Sequence, residues 1–222
     1  MMLAQIVSDT PIATPDQAIS MWELALAGGP LMIPLVICSV IAVYIFVERL
    51  RTINKANVSS DAFMGRIKEL VLKGDINGAK MLCSQHDTPV ARMIEKGVAR
   101  IGSPLKNIEA SIENVGKIEV FRLEKNLSVL ATIAGAAPMI GFLGTVIGMV
   151  GAFIAIAQEE GSVSPKLLAD GIYTAMVTTV AGLIVGIIAY LGYNFLVTRV
   201  SKVVHRMEYS SIEFIDLLQE PR

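Results

Sequence analysis

The sequence is poor in the residues that build disulfide-stapled or metal-bound domains. Its 222 residues include two cysteines, Cys38 and Cys83, and two histidines, His86 and His205. Of these four, only Cys83 and His86 lie close together in the sequence, and two residues do not make a set of metal ligands. Cys38 lies in an apolar stretch and Cys83 in a charged one, so a disulfide between them is topologically implausible. A metal site needs several converging ligands, which the sequence does not offer. We therefore expect no disulfide framework and no metal.

Signatures of enzymatic chemistry are also missing. The sequence contains no glycine-rich phosphate loop, no zinc-binding spacing and no nucleophile elbow. The alternation of apolar and polar residues that marks strands does not compete with helical periodicity anywhere in the charged part of the chain. We expect an all-α protein that has no cofactor, no nucleic-acid partner and no enzymatic activity.

Charged residues are scarce and unevenly distributed. They make up 18% of the chain, against 53% hydrophobic residues, and the mean hydropathy is +0.59. This composition is too apolar for an ordinary soluble domain. Segments that reach the roughly 20 apolar residues needed to cross a bilayer occur three times. They are residues 30–47, 127–157 and 167–197. The sequence therefore predicts an integral membrane protein with three transmembrane helices, in contact with membrane lipid.

Lysine and arginine are absent from the three apolar segments, and their distribution between them predicts the topology. Residues 1–29 hold none, 48–126 hold 14, 158–166 hold one and 198–222 hold four. Basic residues favour the cytoplasmic side of a membrane. We therefore expect a periplasmic N-terminus, a cytoplasmic region at 48–126, a periplasmic loop at 158–166 and a cytoplasmic C-terminal helix at 198–222.

The leader at residues 1–29 lacks the basic start of a secretory signal, and acidic residues interrupt its apolar positions. We do not expect a cleaved signal peptide. Residues 19–27 predict instead a short amphipathic helix on the outer interface, with Trp22 at the depth of the lipid headgroups.

The charged segment at 48–126 reads as successive helices, each with a start signal. These signals are Ser59, Ser60 and Asp61, then Gly74 and Asp75, then Thr88 and Pro89, then Ser103 and Pro104. Ile108, Ile112, Val115, Ile118 or Glu119, and Leu123 follow at helical spacing. We expect this last helix to enter the second crossing unbroken, and the third crossing to continue to Pro221. The apolar periodicity is thin, so these helices should pack on the extensions of the crossings or on neighbouring subunits.

Small residues form a ridge on the second crossing. At spacings of three and four it carries Ala137, Gly141, Gly144, Gly148 and Ala152. Gly182 and Gly186 repeat this pattern on the third crossing. Small residues at this spacing let membrane helices approach closely. We expect the two ridges to pack together, either within one subunit or across a ring of subunits.

Hydroxyl groups are the main polar side chains inside the apolar segments. The second crossing contains Thr145, and one face of the third carries Asp170, Thr174 and Thr178, with Thr179 beside it. Such threonines can simply hydrogen-bond the preceding turn of their own helix. They can also line a polar route through the membrane. Both interpretations stay open.

A proton route normally requires a carboxylate or a histidine at membrane depth. Asp170 lies near the outer mouth, and threonine does not titrate in the accessible range. We therefore expect a partner subunit to supply the proton carrier. At the inner end of the third crossing, Arg199, Lys202 and Arg206 are either topology anchors or the wall of a cytoplasmic vestibule.

Three blocks of sequence together resemble the ExbB/TolQ family, distant relatives of MotA. The first is Ile-Ser-Met-Trp-Glu-Leu at 19–24 with Gly-Pro-Leu-Met-Ile-Pro-Leu at 29–35. The second, Ala-Pro-Met-Ile-Gly-Phe-Leu-Gly-Thr-Val-Ile-Gly-Met at 137–149, includes Pro138 and is the most specific. The third is Gly-Ile-Tyr-Thr-Ala-Met-Val-Thr-Thr-Val-Ala-Gly-Leu at 171–183.

The resemblance implies a pentameric ring in the bacterial inner membrane, whose second and third helices surround a pore. An ExbD/TolR-like subunit with a single transmembrane helix would occupy the pore, and its Asp would carry the proton. Thr145 and Thr179 match the pore-facing threonines of the family. Where well-known members have a Glu five residues before the second of these, this chain has Thr174.

The implied function is a stator that uses the proton-motive force to drive a TonB-like partner in outer-membrane transport. A Tol-type envelope system is the alternative within the family. From other classes, a passive cation channel and a structural scaffold also remain.

Overall fold

The computed structural model describes residues 28–56, 60–158 and 165–219. Within these ranges the regular structure is entirely α-helical. The helices are α1 (Met32–Ala56), α2 (Ser60–Leu72), α3 (Ile76–Gln85), α4 (Pro89–Val98), α5 (Leu105–Glu124), α6 (Leu127–Gln158) and α7 (Pro165–Gln219). The amphipathic helix expected around Trp22 lies outside the described residues, as do the signals at Ser59 and the loop at 159–164.

Three helical stretches are long and apolar enough to cross a membrane. They are α1, the α5–α6 stretch Leu105–Gln158 and the part of α7 at Gly171–Gln219. Only 22%, 17% and 33% of their most apolar windows are buried within the chain. Apolar surface of this extent is incompatible with water and suits lipid or neighbouring helices. The prediction of an all-α, multi-pass membrane protein is confirmed.

The charged part of the chain packs on the distal half of α7. Ile94 of α4, Ile112 of α5 and Phe214 of α7 are all fully buried. A Cβ on Gly97 would lie 2.7 Å from both the Ile112 Cδ1 and the Phe214 Cε1 atoms, so the two side chains close over this glycine. As expected, these helices share the core of the extended third crossing and do not form a separate domain.

Two of the helix starts are as predicted. Gly74 has a φ of +77°, and the Asp75 carboxylate accepts a hydrogen bond from the Gly78 N–H at 2.8 Å, so the pair ends α2 and caps α3. Before α4, the Thr88 hydroxyl accepts from the Ala91 N–H at 3.3 Å, and Pro89 follows as the first helical residue. Both caps satisfy backbone donors that the helix itself leaves free.

The start predicted at Ser103 was wrong by one residue. Pro104 occupies the capping position of α5, with an extended backbone (φ −54°, ψ 137°) and no side-chain cap. The Ser103 N–H donates to the Arg100 carbonyl at 3.0 Å, so this residue belongs to the turn that ends α4.

The continuous helix predicted from Pro104 into the second crossing was also wrong. Lys125 is extended (φ −50°, ψ 135°), and Asn126 has a φ of +63°, so α5 ends before them. The Asn126 carbonyl then accepts from the Leu130 N–H at 3.3 Å and begins α6. Asn tolerates the left-handed conformation better than most residues, and no Gly or Pro is required. In contrast, α7 runs unbroken for 55 residues, as predicted.

Candidate functional site

Helices α6 and α7 meet backbone to backbone at two glycines. A Cβ on Gly182 would lie 2.6 Å from the Ala137 carbonyl oxygen and 2.9 Å from the Gly141 Cα. A Cβ on Gly141 would lie 2.9 Å from the Thr178 carbonyl oxygen. Backbone atoms cannot move aside as a flexible side chain can, so neither position has room for a side chain. Close approach of this kind is how small residues pack membrane helices.

The contact continues toward the end of α6. A Cβ on Gly148 would lie 2.8 Å from the Ala175 Cβ and 3.2 Å from the Gly171 carbonyl oxygen. At Gly144 it would lie 2.7 Å from the Thr178 Cβ. The structure thus brings together Gly141, Gly144 and Gly148 of α6 with the face of α7 that carries Gly182. We call this contact the glycine seam.

Pro138 and Gly186 form the far end of the glycine seam. Pro138 lies inside α6 and has no N–H for the carbonyl of Ala134. A Cβ on Gly186 would lie 2.5 Å from the Pro138 Cγ and 3.2 Å from the Ala134 carbonyl oxygen. Gly186 therefore leaves space for the proline ring and for the Ala134 carbonyl, which accepts no hydrogen bond from Pro138.

Two of the four threonines bond within their own helix. The Thr178 hydroxyl donates to the Ala175 carbonyl at 2.8 Å, and the side chain is buried in the glycine seam. The Thr145 hydroxyl donates to the Phe142 carbonyl at 2.6 Å, while the residue stays partly exposed. This is the ordinary behaviour of a threonine in a helix whose surroundings contain no water.

Thr179 differs, because its hydroxyl donates across the glycine seam to the Gly141 carbonyl at 2.9 Å. Gly141 is in α6 and Thr179 is in α7, so this hydrogen bond joins the two helices at their closest point. Thr174 lies half-buried one turn before Thr178. The Asp170 side chain lies outside the described residues, so the carboxylate end of the expected polar face is not placed.

The hairpin of α6 and α7 contains no carboxylate, imidazole or cationic side chain at membrane depth. Residues 127–158 and 171–198 hold no Asp, Glu, His, Lys or Arg. The polar groups at the glycine seam are hydroxyls and backbone carbonyls, which can accept or pass on hydrogen bonds without changing charge. By itself this lining can hydrate an ion or stabilise a carboxylate, but it cannot carry a proton.

A buried carboxylate lies at the charged end of the molecule, where sequence reasoning placed only an apolar face. Glu119 of α5 is 2% exposed. Its Oε2 accepts from Arg92 Nη2 at 2.6 Å, and its Oε1 accepts from Arg122 Nη1 at 2.7 Å. The hydrogen bond that Arg92 donates to the Glu119 carboxylate raises the pKa of Arg92. Of the two charge-assisted hydrogen bonds, the one from Arg92 joins α4 to α5, and the one from Arg122 lies within α5.

Arg49 links the same region to the first crossing. It is 5% exposed, pairs with Glu48, and donates from Nη1 to the Arg122 carbonyl at 3.0 Å. Arg122 is in the last turn of α5, where carbonyls have no partner within the helix. Arg49 therefore caps α5 just before the break at Asn126.

The basic residues beyond the apolar part of α7 begin with Arg199. Its guanidinium carbon lies 5.1 Å from the centroid of the Phe195 ring, a cation–π distance. Lys202 and Arg206 follow at spacings of three and four, so all three share one face of α7. Arg199 is half-buried, because part of it covers this aromatic ring.

A family model, described as the MotA/TolQ/ExbB proton channel family, matches residues 85–209. The chain belongs to this family. The match includes α4, α5, α6 and most of α7, so it spans the glycine seam, the four threonines and Glu119.

Curated MotA/TolQ/ExbB relatives agree with the match. An ExbB homolog from Methanothermobacter thermautotrophicus is 31% identical over 173 residues, which is 76% of this chain and 61% of that protein. The biopolymer transport protein exbB1 of Vibrio cholerae is 27% identical over 207 residues, 90% of this chain and 89% of that one. The Tol-Pal system protein TolQ of Haemophilus influenzae is 36% identical over 85 residues, 38% of this chain and 37% of that one.

The two sequence blocks on which the resemblance to this proton channel family mainly rests are also the blocks that form the glycine seam. The block at 137–149 supplies Pro138 and three of its glycines, and the block at 171–183 supplies Gly182 with three of the threonines. Glu119, by contrast, belongs to no recognised block. Its one signal was a carboxylate at a position of α5 where the helical spacing called for an apolar residue.

Proposed function

We propose that the protein is an ExbB-like stator subunit of an energy-transducing complex in the bacterial inner membrane. In this complex, proton flow down the membrane potential powers transport across the outer membrane. The observation that carries the proposal is the α6–α7 hairpin. A chain of the proton channel family packs two apolar helices around hydroxyls and carbonyls, but supplies no Asp, Glu, His, Lys or Arg at that depth.

The distribution of basic residues supports a cytoplasmic location for the charged halves of α5 and α7. Fourteen of the 19 Lys and Arg residues lie in 48–126, and four lie beyond residue 197. The positive-inside rule then places the loop at 158–166 in the periplasm. Three crossings leave the two chain ends on opposite sides of the membrane.

A partner supplies the proton carrier in this proposal. It is an ExbD/TolR-like subunit with one transmembrane helix that bears an Asp, and it sits in the pore of a homo-oligomer, a pentamer by family resemblance. A carboxylate in such a pore can change its charge state with modest energy, because desolvation raises its pKa toward neutral pH. The driving force is about 2.3 kcal/mol per proton per 100 mV, and about 1.4 kcal/mol more per pH unit. A TonB-like protein receives the resulting motion.

The threonines take different roles. Thr145 is partly exposed, and its hydroxyl donates only to the preceding turn, so the hydroxyl oxygen is available to accept a hydrogen bond from the partner's protonated carboxyl group. Thr179 holds the Gly141 carbonyl and fixes the spacing of the two helices. Thr178 lies buried between them, and Thr174 and Asp170 extend the path toward the periplasmic end. Arg199, Lys202 and Arg206, which share one face of α7 beyond its apolar part, would lie at the cytoplasmic surface of the membrane.

A Tol-type role is the second candidate. It rests on the 36% identity to the Haemophilus influenzae TolQ over 85 residues. The two roles differ in the process that is energised, which is outer-membrane uptake for the ExbB type and envelope integrity for the Tol type.

The test compares Thr145→Val and Thr179→Val with Thr132→Val in a strain that lacks the native gene. Thr132 is an exposed threonine of the same helix α6, and its hydroxyl bonds only the Ser128 carbonyl at 2.9 Å, so it is the matched control. We expect the first two variants to assemble with the partner but to lose energised uptake, and the control to keep it.

Normal uptake and normal envelope integrity in both test variants would contradict the stator role. Loss of envelope integrity alone would favour the Tol-type system. Cation conductance of the purified protein without any partner would instead favour a passive channel.

A further inference from the structure

A groove that the proton path does not use lies between α1 and α7, beside the start of α6. It encloses about 360 Å³. Its lining is almost entirely apolar, and includes Val43, Phe46, Leu130, Ile188, Gly192 and Phe195. The glycine seam uses residues 171–186 of α7, whereas the α7 residues that line this groove lie at 188–195. Its residues lie in the apolar stretches of all three helices.

One end of the groove is formed by two aromatic rings. The centroids of Phe46 and Phe195 lie 6.3 Å apart across the α1–α7 contact. Gly192 is needed beside them, because a Cβ there would lie 3.0 Å from the Phe46 Cδ2 atom. The ring of Phe46 thus lies directly against the backbone of α7.

The groove leads into a basic stripe. Ile188, Gly192, Phe195 and Arg199 recur at spacings of four and three, so they share one face of α7. The Arg199 guanidinium lies over the Phe195 ring at 5.1 Å. Lys202 and Arg206 continue the same face toward the charged end. An apolar groove therefore ends at a guanidinium, with further positive charge beyond it.

Arg199 also lies at the depth of the lipid headgroups. The apolar stretches of the three crossings end at Glu48 in α1, at Lys125 before α6 and at Arg199 in α7. The first charged residues after a transmembrane segment mark the interface between hydrocarbon and water. Anionic lipids give this interface a negative potential that attracts lysine and arginine.

We propose that the groove binds one acyl chain of an anionic phospholipid whose phosphate is held by Arg199. The chain fills the apolar lining, and the phosphate gains a planar donor that can bond two of its oxygens at once. The apolar side of a neighbouring helix would also fill the groove, but would leave the Arg199 cation without an anion. The charge at the mouth therefore favours a lipid.

The test measures the phospholipid that stays with the purified complex after reconstitution in vesicles of equal phosphatidylglycerol and phosphatidylcholine, followed by detergent washing. We expect the native chain to retain phosphatidylglycerol preferentially. Arg199→Gln should lower that preference about fivefold, the scale of one basic residue at an anionic surface. Arg199→Lys should keep most of it, and Arg100→Gln, at the other end of the charged region, should keep all of it.

A second variant tests the apolar part of the groove. Val43→Trp places a large ring in the lining, and should lower the retention of both lipids while the size of the complex stays the same. Equal retention of the two lipids by the native chain, or no change in Arg199→Gln, would overturn the proposal. So would a Val43→Trp complex that breaks apart with its lipid content unchanged, because a second copy of the chain would then cover the groove.

Discussion

The Arg49 guanidinium donates a hydrogen bond to the Arg122 carbonyl at 3.0 Å, although 73 residues separate the two in sequence. This contact joins the charged end of α1 to the last turn of α5. Asn126, where the backbone reverses into its left-handed conformation, lies four residues further on. Helix α1 therefore holds the last turn of α5, just before the break at Lys125 and Asn126 that separates α5 from α6. The predictions below test this region and the glycine seam.

Gly141→Ala should destabilise the α6–α7 hairpin. The new Cβ would lie 2.9 Å from the Thr178 carbonyl oxygen and 3.1 Å from the Thr179 Cα, both backbone atoms. Overpacking of this kind costs about 1–3 kcal/mol. Thermal unfolding in detergent measures it, with Gly151→Ala in the same helix as the control because nothing lies within 4 Å of its Cβ position. Because alanine is the better helix former, the control should keep or gain stability. A control that loses as much stability as Gly141→Ala would contradict the contact argument.

Glu119→Gln should lower stability at the charged end without changing the apolar helices. The neutral amide leaves Arg92 and Arg122 without their shared carboxylate, at a cost of about 1–3 kcal/mol because both guanidiniums keep some access to water. Glu113→Gln is the control. Glu113 pairs with Lys117 on the exposed surface at 2.7 Å, and such pairs contribute about 0.5 kcal/mol or less. Denaturant unfolding should separate the two variants, and equal losses would contradict the burial argument.

Asn126→Ala should destabilise the junction of α5 and α6, while Asn126→Gly should not. The residue has a φ of +63°, and this conformation costs a residue with an ordinary side chain about 1–2 kcal/mol. Glycine adopts it freely. The alanine variant should therefore melt at a clearly lower temperature than the glycine variant. An alanine variant as stable as the glycine variant would mean that α5 and α6 can join into one straight helix.

The ion pairs of Asp87 should make a small, pH-dependent contribution. A hydrogen bond from Lys55, the charge of Lys55 and that of Arg92 hold the pKa of Asp87 below its ordinary 3.8. A carboxyl whose pKa is lowered by folding adds stability above its ordinary pKa and loses it as the pH falls through the lowered value. Asp87→Asn should therefore lower the melting temperature near neutral pH, and the gap should close in strong acid. A gap that stays constant across this range would contradict the pairing.

Cys83 should resist thiol reagents until the protein unfolds. It is 2% exposed, and burial raises its pKa to about 12. The thiolate is the reactive form, so both access and ionisation oppose modification. Maleimide labelling of a Cys38→Ser variant near neutral pH should be slow in the folded state and fast in denaturant. Rapid labelling of the folded protein would show that α3 opens locally.

The sequence predicted the parts of the fold that depend on local signals. The three apolar stretches follow from composition, and the cap at Thr88 with Pro89 follows from residue types that act on their own turn. The break at Lys125 and Asn126 was missed because neither residue is a Gly or Pro. Its conformation depends on how α5 must turn to pack against α1.

The candidate site, too, was predictable from the sequence only where local signals determine it. The motif at 137–149 predicted that small residues would meet another helix, but not which carbonyl each would face. The sequence does not distinguish the neighbouring threonines of α7, yet they take different hydrogen-bond partners. Thr178 donates to Ala175 in its own helix, and Thr179 donates to Gly141 in α6. Glu119 was missed because its burial and its bond to Arg92 depend on the packing of α4 against α5, although Arg122 lies three residues away in the same helix. Such pairings are decided by tertiary contact, which a single sequence does not display.

The 55 residues of α7 form a rod about 80 Å long at 1.5 Å per residue. A rod of this length acts as a lever: tilting it by about 5° about one end displaces the other by about 7 Å. The neighbouring α5–α6 stretch is not one rod, because it is interrupted at Lys125 and Asn126. A small tilt of α7 at the level of the threonines would therefore displace its far end by several ångströms, and only α7 offers such a continuous rod between the two regions.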